Sequence, residues 1–186
     1  MSHVPTMNEI SAEIERAGRA AFTELFQQHQ EHFYYVVLVT TGEAFCPFVS
    51  AWSIESLERA VENADDKEDA IWGIKWSYAD SPYLDYGSQH FAAVKRMFSL
   101  RPSISSLTGE LWQAEFDLRL EAMEMAMKKL DDNGIFGKGT VREHVYVNVE
   151  VVPPDYSNVI RARRLNPEKA LEIWLREAAE PEEDGL

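Results

Sequence analysis

The chain has very little cysteine, no long apolar run and no leader-like N-terminus. Cys46 is the only cysteine among 186 residues, so no intrachain disulfide can form. The longest apolar run, Phe33–Val39, is far shorter than the roughly 20 residues that a membrane helix needs. The stretch 1–18 is polar and acidic, without the basic and apolar regions of a signal peptide. These absences predict a protein of the reducing cytoplasm that does not enter a membrane.

Basic side chains are also scarce. The chain has 18 Lys and Arg against 32 Asp and Glu, which gives a formal net charge of −14 at pH 7. Such a protein repels nucleic acid and anionic membrane surfaces and attracts basic partners. We therefore expect no binding to nucleic acid, and a basic protein as the partner with the best electrostatic match. Solubility alone is the other explanation of this acidity.

The sequence also lacks the motifs of common catalytic and metal sites. There is no G-x-S-x-G nucleophile elbow. His29 and His32 form an H-x-x-H pair, but no third ligand follows at a recognised metal spacing. Glu121 and Glu124 lie three residues apart on a predicted helix, and its solvated face explains them. We therefore predict no catalytic residues, no metal and no cofactor, and hence a protein that is not an enzyme.

The stretch Gly134–Thr140 combines three glycines with a lysine and a threonine. A phosphate-binding loop needs four residues between its first glycine and a Gly-Lys-Ser/Thr, and it runs from a strand into a helix. Here the spacing differs, and the stretch leaves a predicted helix to enter a predicted strand. We therefore expect Gly137 and Gly139 to adopt positive φ and to shape a turn.

Arg142 follows this loop, and its charge has two interpretations. A guanidinium has a planar fork of donors that can hold a carboxylate or backbone carbonyls. On the first interpretation, Arg142 starts a valine-rich strand, lies on the side of His144 and Tyr146, and fixes the exit of the loop through such a partner. On the second, Arg142 is exposed and contacts a ligand or another protein.

The order of helical and strand-like patterns predicts an α+β fold. Apolar residues at helical spacing, caps and breakers predict helices over Met7–Gln28, 54–64 after Ser53, Ser88–Phe98, Thr108–Leu130 and from Pro167 to about Glu177. Alternating or β-rich runs predict strands over Phe33–Thr40, Ala44–Trp52, Trp72–Tyr78 and Val145–Val151, with Arg161–Leu165 as a further short strand or extended segment. We therefore predict one domain over residues 1–186, with helices packed against a mainly antiparallel sheet of about four to five strands. An acidic tail from about 179 is expected to fray.

Two surfaces are candidates for binding another protein. The first is acidic: residues 55–69 contain seven carboxylates against Arg59 and Lys67. Its candidate contact residues are Glu62, Asp65, Asp66, Glu68 and Asp69, although a solvated helix face explains the same pattern. The second consists of Tyr83 and Tyr86 in a turn-rich loop, because large rings with polar ends are often contact residues. By contrast, Trp72 and Trp76 are assigned to the core.

A small-molecule site remains an alternative. Trp76, Tyr78 and His144 are aromatic or polar residues on predicted strands, so they could line a pocket between the sheet and the helices. Such a pocket would favour a ligand-binding or enzymatic domain.

Four stretches of the sequence resemble one known family, the bacterial domain of unknown function family 4303. They are Phe33–Glu43 (FYYVVLVTTGE), Trp76–Tyr78 (WSY), Phe136–Glu143 (FGKGTVRE) and Leu165–Pro167 (LNP). The resemblance implies no established catalytic residues. It also implies a place among small acidic proteins found beside polymorphic toxin genes, some of which are immunity proteins. On this basis we expect a non-enzymatic protein that binds and neutralises a basic toxin domain.

Overall fold

The computed structural model describes residues 3–182, which form seven α-helices and three strands. The helices are α1 (Met7–Gln28), α2 (Ile54–Ala60), α3 (Lys67–Ile74), α4 (Ala92–Ser99), α5 (Gly109–Asp132), α6 (Tyr156–Leu165) and α7 (Glu168–Glu177). The strands are β1 (Phe33–Thr41), β2 (Phe48–Ser53) and β3 (Tyr146–Val152). Residues 178–182 have no regular structure, and the rest of the predicted tail, 183–186, lies outside the described residues. No helix in the described range is both long and apolar enough to cross a membrane.

The first helix is confirmed, and local sequence explains both its start and its packing. Thr6 and Glu9 form a capping box, in which each side chain accepts a hydrogen bond from the backbone of the other. Ile10, Ile14 and Leu25 are fully buried on one face of α1. The helical period of the apolar residues therefore places that face on the core.

The prediction of a mainly antiparallel sheet of four to five strands is wrong. The strand order is β2-β1-β3, with β1 antiparallel to β2 and parallel to β3. The β1–β2 hairpin was predicted correctly. The parallel pairing is possible because the long segment from α2 to α5 carries the chain back to the same end of the sheet.

Two segments predicted as strand or extended are not strands, and this explains the smaller sheet: residues 72–78 are the end of α3 and the turn after it, and 161–165 belong to α6. Residues 72–78 were expected to be a strand, but α3 begins at Lys67 because the Asp66 side chain caps it, accepting from the amides of Glu68 and Asp69. The segment 161–165 is the second half of α6, which Asp155 caps in the same way by accepting from the amide of Ser157. In both cases the helix signal lies upstream of the residues that suggested a strand.

The sheet is covered by helices on both faces, so the fold has three layers. One face packs through Val36, Leu38 and Val147 against α1, α4 and α5. The other packs through Tyr35, Val37 and Tyr146 against α6 and α7. Because both faces are buried, β1 is a continuous apolar run rather than an alternating one.

Side chains of α6 and the residue after it close the free edge of β3. Asn166 bonds both backbone groups of Val147, accepting from the amide at 2.8 Å and donating to the carbonyl at 2.6 Å. Asn158 does the same for Val151, at 2.9 and 3.0 Å. Between them, Nε of Arg161 donates to the carbonyl of the intervening valine at 2.9 Å. The edge is therefore paired with side chains in place of a fourth strand.

Candidate functional site

The acidic surface consists of six exposed carboxylates on α2, α3 and the loop between them, together with Trp72. The carboxylates are Glu58, Glu62, Asp65, Asp66, Glu68 and Asp69. None of them forms an ion pair with a basic side chain in residues 3–182, and the nearby Arg59 pairs instead with Glu31 at 2.8 Å. The five acidic candidates from the sequence therefore all lie on one continuous stretch of surface chain with unneutralised charge.

Trp72 is the functional candidate that sequence reasoning missed. It was assigned to a core strand, but it lies on α3 with 67% of its surface exposed. Ile71 and Ile74, three residues apart, turn toward the core of the α6–α7 face instead. The capping residue Asp66 was the available signal, because a helix starting there places Trp72 away from the two isoleucines.

The tyrosines predicted as contact residues are largely turned inward. Tyr83 is only 5% exposed, and its hydroxyl donates to Glu31 at 2.7 Å. Burial and this hydrogen bond raise the pKa of Tyr83 to about 12. Tyr86 is half-buried and donates to Oε1 of Gln28 at 2.6 Å. The exposed placement expected for Tyr83 is therefore wrong, because the ring closes the corner between α1 and β1.

The glycine loop follows the C-terminus of α5, so it does not offer a helix N-terminus to a phosphate. Gly137 and Gly139 have φ of +94° and +55°. Phe136 anchors the loop, at 3% exposure and 5.2 Å from the ring centre of Phe22. Val141, in contrast, is 61% exposed and lies before the start of β3.

Arg142 is buried at the exit of this loop, in a short 3₁₀ turn before β3. It therefore does not lie within the strand, as the alternation of valines had suggested. Its Nε donates to Oδ1 of Asp131 at 2.6 Å, and Nη1 donates to the carbonyl of Val145. Its Nη2 donates to the carbonyl of Leu165 at 2.9 Å and to Oδ1 of Asn166 at 3.2 Å. One guanidinium thus ties together the end of α5, the start of β3 and the end of α6.

The predicted pocket of Trp76, Tyr78 and His144 does not exist as a unit. Trp76 and Tyr78 pack at the edge of the α6–α7 face, and Nε1 of Trp76 donates to Glu177 at 3.0 Å. His144 is exposed and lines a different cleft. The three residues were grouped because residues 72–78 were taken for a strand.

A half-buried acid, Glu150, lies on the α6–α7 face of β3. The carboxylate of Glu150 accepts from the hydroxyls of Tyr35 at 2.7 Å and Tyr146 at 3.2 Å. Burial raises its pKa to about 7, even though both hydroxyls favour the charged form. Its hydrogen-bond partners are phenols whose own pKa values burial also raises, so this cluster has no activated nucleophile. In residues 3–182, no group of three or more His, Cys, Asp and Glu side chains is placed to hold a metal ion.

An apolar cleft of about 500 Å³ lies between the α1–β1 corner, the start of α2 and the glycine loop. Its apolar lining includes Phe26, Phe33, Ile135, Phe136 and Val145, and its polar lining includes His29, Glu31, His32 and His144. Nδ1 of His32 contacts Glu55 at 2.6 Å, and this contact lowers the pKa of Glu55 to about 2. The imidazoles of His29 and His144 make no side-chain hydrogen bond within the described residues.

Together these features define a three-layer α+β protein. The chain belongs to the family described as Domain of unknown function (DUF4303), whose model matches residues 14–167. No curated protein and no solved structure matches the chain significantly. The matched range contains the acidic surface and the glycine loop. It also contains the motifs Phe136–Glu143 and Leu165–Pro167, which the hydrogen bonds of Arg142 join.

Proposed function

We propose that this protein is a non-enzymatic cytoplasmic protein that binds a basic protein through the acidic surface. The observation that carries the proposal is Trp72, a large exposed apolar ring on α3, three and four residues after Asp69 and Glu68, which have no basic partner in the described residues. Tryptophan is enriched among the few residues that dominate binding energy, and losing such a dominant residue costs about 2 kcal/mol or more. The unpaired carboxylates supply attraction and a faster, salt-dependent association.

The resemblance of four stretches of the sequence to family 4303 supports a narrower form of this proposal. In that form the partner is a basic toxin domain, and the protein acts as its immunity protein. A tightly bound acidic protein can neutralise a basic enzyme by covering the positive surface that holds the enzyme's anionic substrate.

The test is affinity capture with matched variants. Purified protein is used as bait in a lysate of the native host at about 50 mM and about 300 mM salt, because screening weakens exposed charge contacts. We expect a basic protein to be captured less efficiently at the higher salt, and Trp72→Ala to lose it. Leu111→Ala is the control, because Leu111 is another exposed apolar side chain, at 69%, but it lies on α5.

A second experiment measures neutralisation of the captured protein, separately from binding to it. The captured protein is expressed in a test strain with and without wild-type protein, and growth is compared. Rescue by wild type and not by Trp72→Ala would support the immunity role. Equal capture by wild type and Trp72→Ala, or capture of no basic protein at all, would contradict the proposed binding surface.

A further inference from the structure

We propose that the apolar cleft beside the glycine loop receives an apolar side chain carried on a segment of the same basic partner. This inference rests on the proposed function, because it concerns a second contact made by the partner of the acidic surface. The acidic surface offers carboxylates and one exposed tryptophan. The cleft adds a recess, in which one side chain of the partner can be buried away from water.

The walls of the cleft favour an apolar occupant. Phe26 and Phe33 pack with their ring centres 4.9 Å apart, and both line the cleft together with Phe136 of the glycine loop. A volume of about 500 Å³ lies in the range of sites that bury organic groups, and it is large enough for an aromatic side chain. Burying such an anchor removes apolar surface from water, which stabilises a complex.

The surroundings of the cleft favour a polypeptide over a small molecule. Ile54 and Val141 line the cleft on α2 and on the glycine loop, and they are 50% and 61% exposed. Apolar surface therefore extends to the mouth of the cleft. A small ligand enclosed in the cleft would leave this outer apolar surface exposed to water. A chain segment lying across the mouth covers both residues while its side chain fills the recess. The unbonded imidazoles of His29 and His144 can then hydrogen-bond to the backbone of that segment.

The position of the cleft favours a basic segment. Ile54 and Glu58 are four residues apart on α2, so the exposed carboxylate of Glu58 lies on the same helix face as this wall of the cleft. The helix α2 has seven residues and is therefore about 10 Å long, and the other carboxylates of the acidic surface follow directly after it in the chain. A partner that covers about 800 Å² of this protein, as in a standard interface, extends over both regions.

The experiment uses a random 12-residue peptide library displayed on phage as the probe. The library is panned on the full chain, and enriched peptides are synthesised with a fluorophore and measured by anisotropy. We expect enriched peptides to combine Lys or Arg with one aromatic or large aliphatic residue. The double variant Ile54→Ser/Val141→Ser should weaken them at least tenfold, and Leu100→Ser/Leu111→Ser should not. All four residues are exposed, so the fold is retained in both variants.

A double-mutant cycle locates the anchor residue in the cleft. Replacing the anchor of the peptide by Ala should cost about as much as the double variant, and combining both changes should cost little more, because the two changes remove the same contact. Additive losses would overturn the proposal, and so would equal binding to wild type and the double variant. If no peptide is enriched, or if an aromatic dye fills the cleft and displaces no peptide, the cleft is not a peptide site. None of these results depends on capture of the whole partner through Trp72, so the proposed function is judged separately.

Discussion

Two charged regions of this protein treat their charges in opposite ways. Around Arg142, one buried guanidinium has four oxygen partners drawn from three parts of the chain. On the acidic surface, six exposed carboxylates have no basic partner within the described residues. Trp72 is exposed on α3, three and four residues after two of them, Asp69 and Glu68. A buried charge must be paired for the protein to fold, whereas an exposed charge can remain available to another molecule. The contrast separates residues that hold the fold from residues that can bind a partner.

The largest effect on stability is expected at Arg142. Arg142→Ala leaves Asp131 and several carbonyls without their donor and should lower the free energy of unfolding by about 3–5 kcal/mol. Arg142→Lys keeps the charge but not the planar fork, and should lower it by about 1–3 kcal/mol. Urea unfolding measures both. If Arg142→Lys unfolds like wild type while partner binding collapses, Arg142 belongs with the binding residues and the contrast fails.

Glu150 should give the next largest effect, with opposite sign and a pH dependence. Its folded pKa, about 7, exceeds the unfolded value of 4.5, so the folded state holds the proton more tightly. Its contribution to stability is therefore complete below about pH 4.5 and is lost as the pH rises through about 7. Glu150→Gln removes this loss and should raise the free energy of unfolding, relative to wild type, by up to roughly 3 kcal/mol at about pH 8.5.

The check is the difference between Glu150→Gln and wild type at several pH values, since other groups titrate equally in both proteins. A difference that grows between pH 4.5 and 7 supports the raised pKa of Glu150. A constant difference would place Glu150 in a hydrated environment.

Gly137→Val should lower the free energy of unfolding by about 1–3 kcal/mol, the typical cost of a β-branched residue at positive φ. A Cβ at this position would also approach Cγ1 of Val141 at 2.7 Å. Gly73→Ala in α3 is the control, because nothing lies within 4 Å of its Cβ position and alanine favours a helix. Thermal unfolding should show a loss for the first variant and a slight gain for the second. Equal melting of Gly137→Val and wild type would show that the loop tolerates another backbone conformation.

Trp72→Ala should change the free energy of unfolding by less than about 0.5 kcal/mol, because it removes a mostly solvated side chain. This small effect would sharpen the comparison if partner binding is lost at the same time. A loss of several kcal/mol, measured by the same urea experiment, would instead make Trp72 part of the folded core.

Lys138→Ala should have the smallest effect of all, since Lys138 is exposed at the tip of the glycine loop. We expect the unfolding curve of wild type within error. Isothermal titration with ATP and GTP provides the complementary test. Nucleotide binding by wild type that Lys138→Ala abolishes would show that the loop is a phosphate site after all.

Local signals in the sequence predicted the elements that they start or end. The helix from Met7, the N-cap Ser53 and the start of α7 after Pro167 were all predicted and are confirmed. The strand predicted at 72–78 was wrong because alternation over a short stretch also fits a helix, and the strand or extended segment predicted at 161–165 was wrong as well. The caps Asp66 and Asp155 decide between the two structures, and they lie several residues upstream.

The remaining features depend on contacts between distant residues. The parallel pairing of β1 with β3 joins residues more than a hundred positions apart, and no local pattern specifies it. The bond between Arg142 and Asn166 unites two motifs that the sequence offers only as separate resemblances. The cleft likewise combines the α1–β1 corner, α2 and the glycine loop. The sequence could identify individual residues of these sites, but it could not predict which of them lie together in the fold.

The side-chain pairing along β3 also determines how other chains can meet this protein. An open edge strand is a template to which a strand of another molecule can add, and repeated addition leads to fibres. Asn158, Arg161 and Asn166 occupy the backbone positions that such a strand would use. At the other edge, the hydroxyl of Ser81 donates to the carbonyl of Ala51 in β2. Strand addition is therefore closed to a partner along the β3 edge, and one carbonyl of the β2 edge is also occupied.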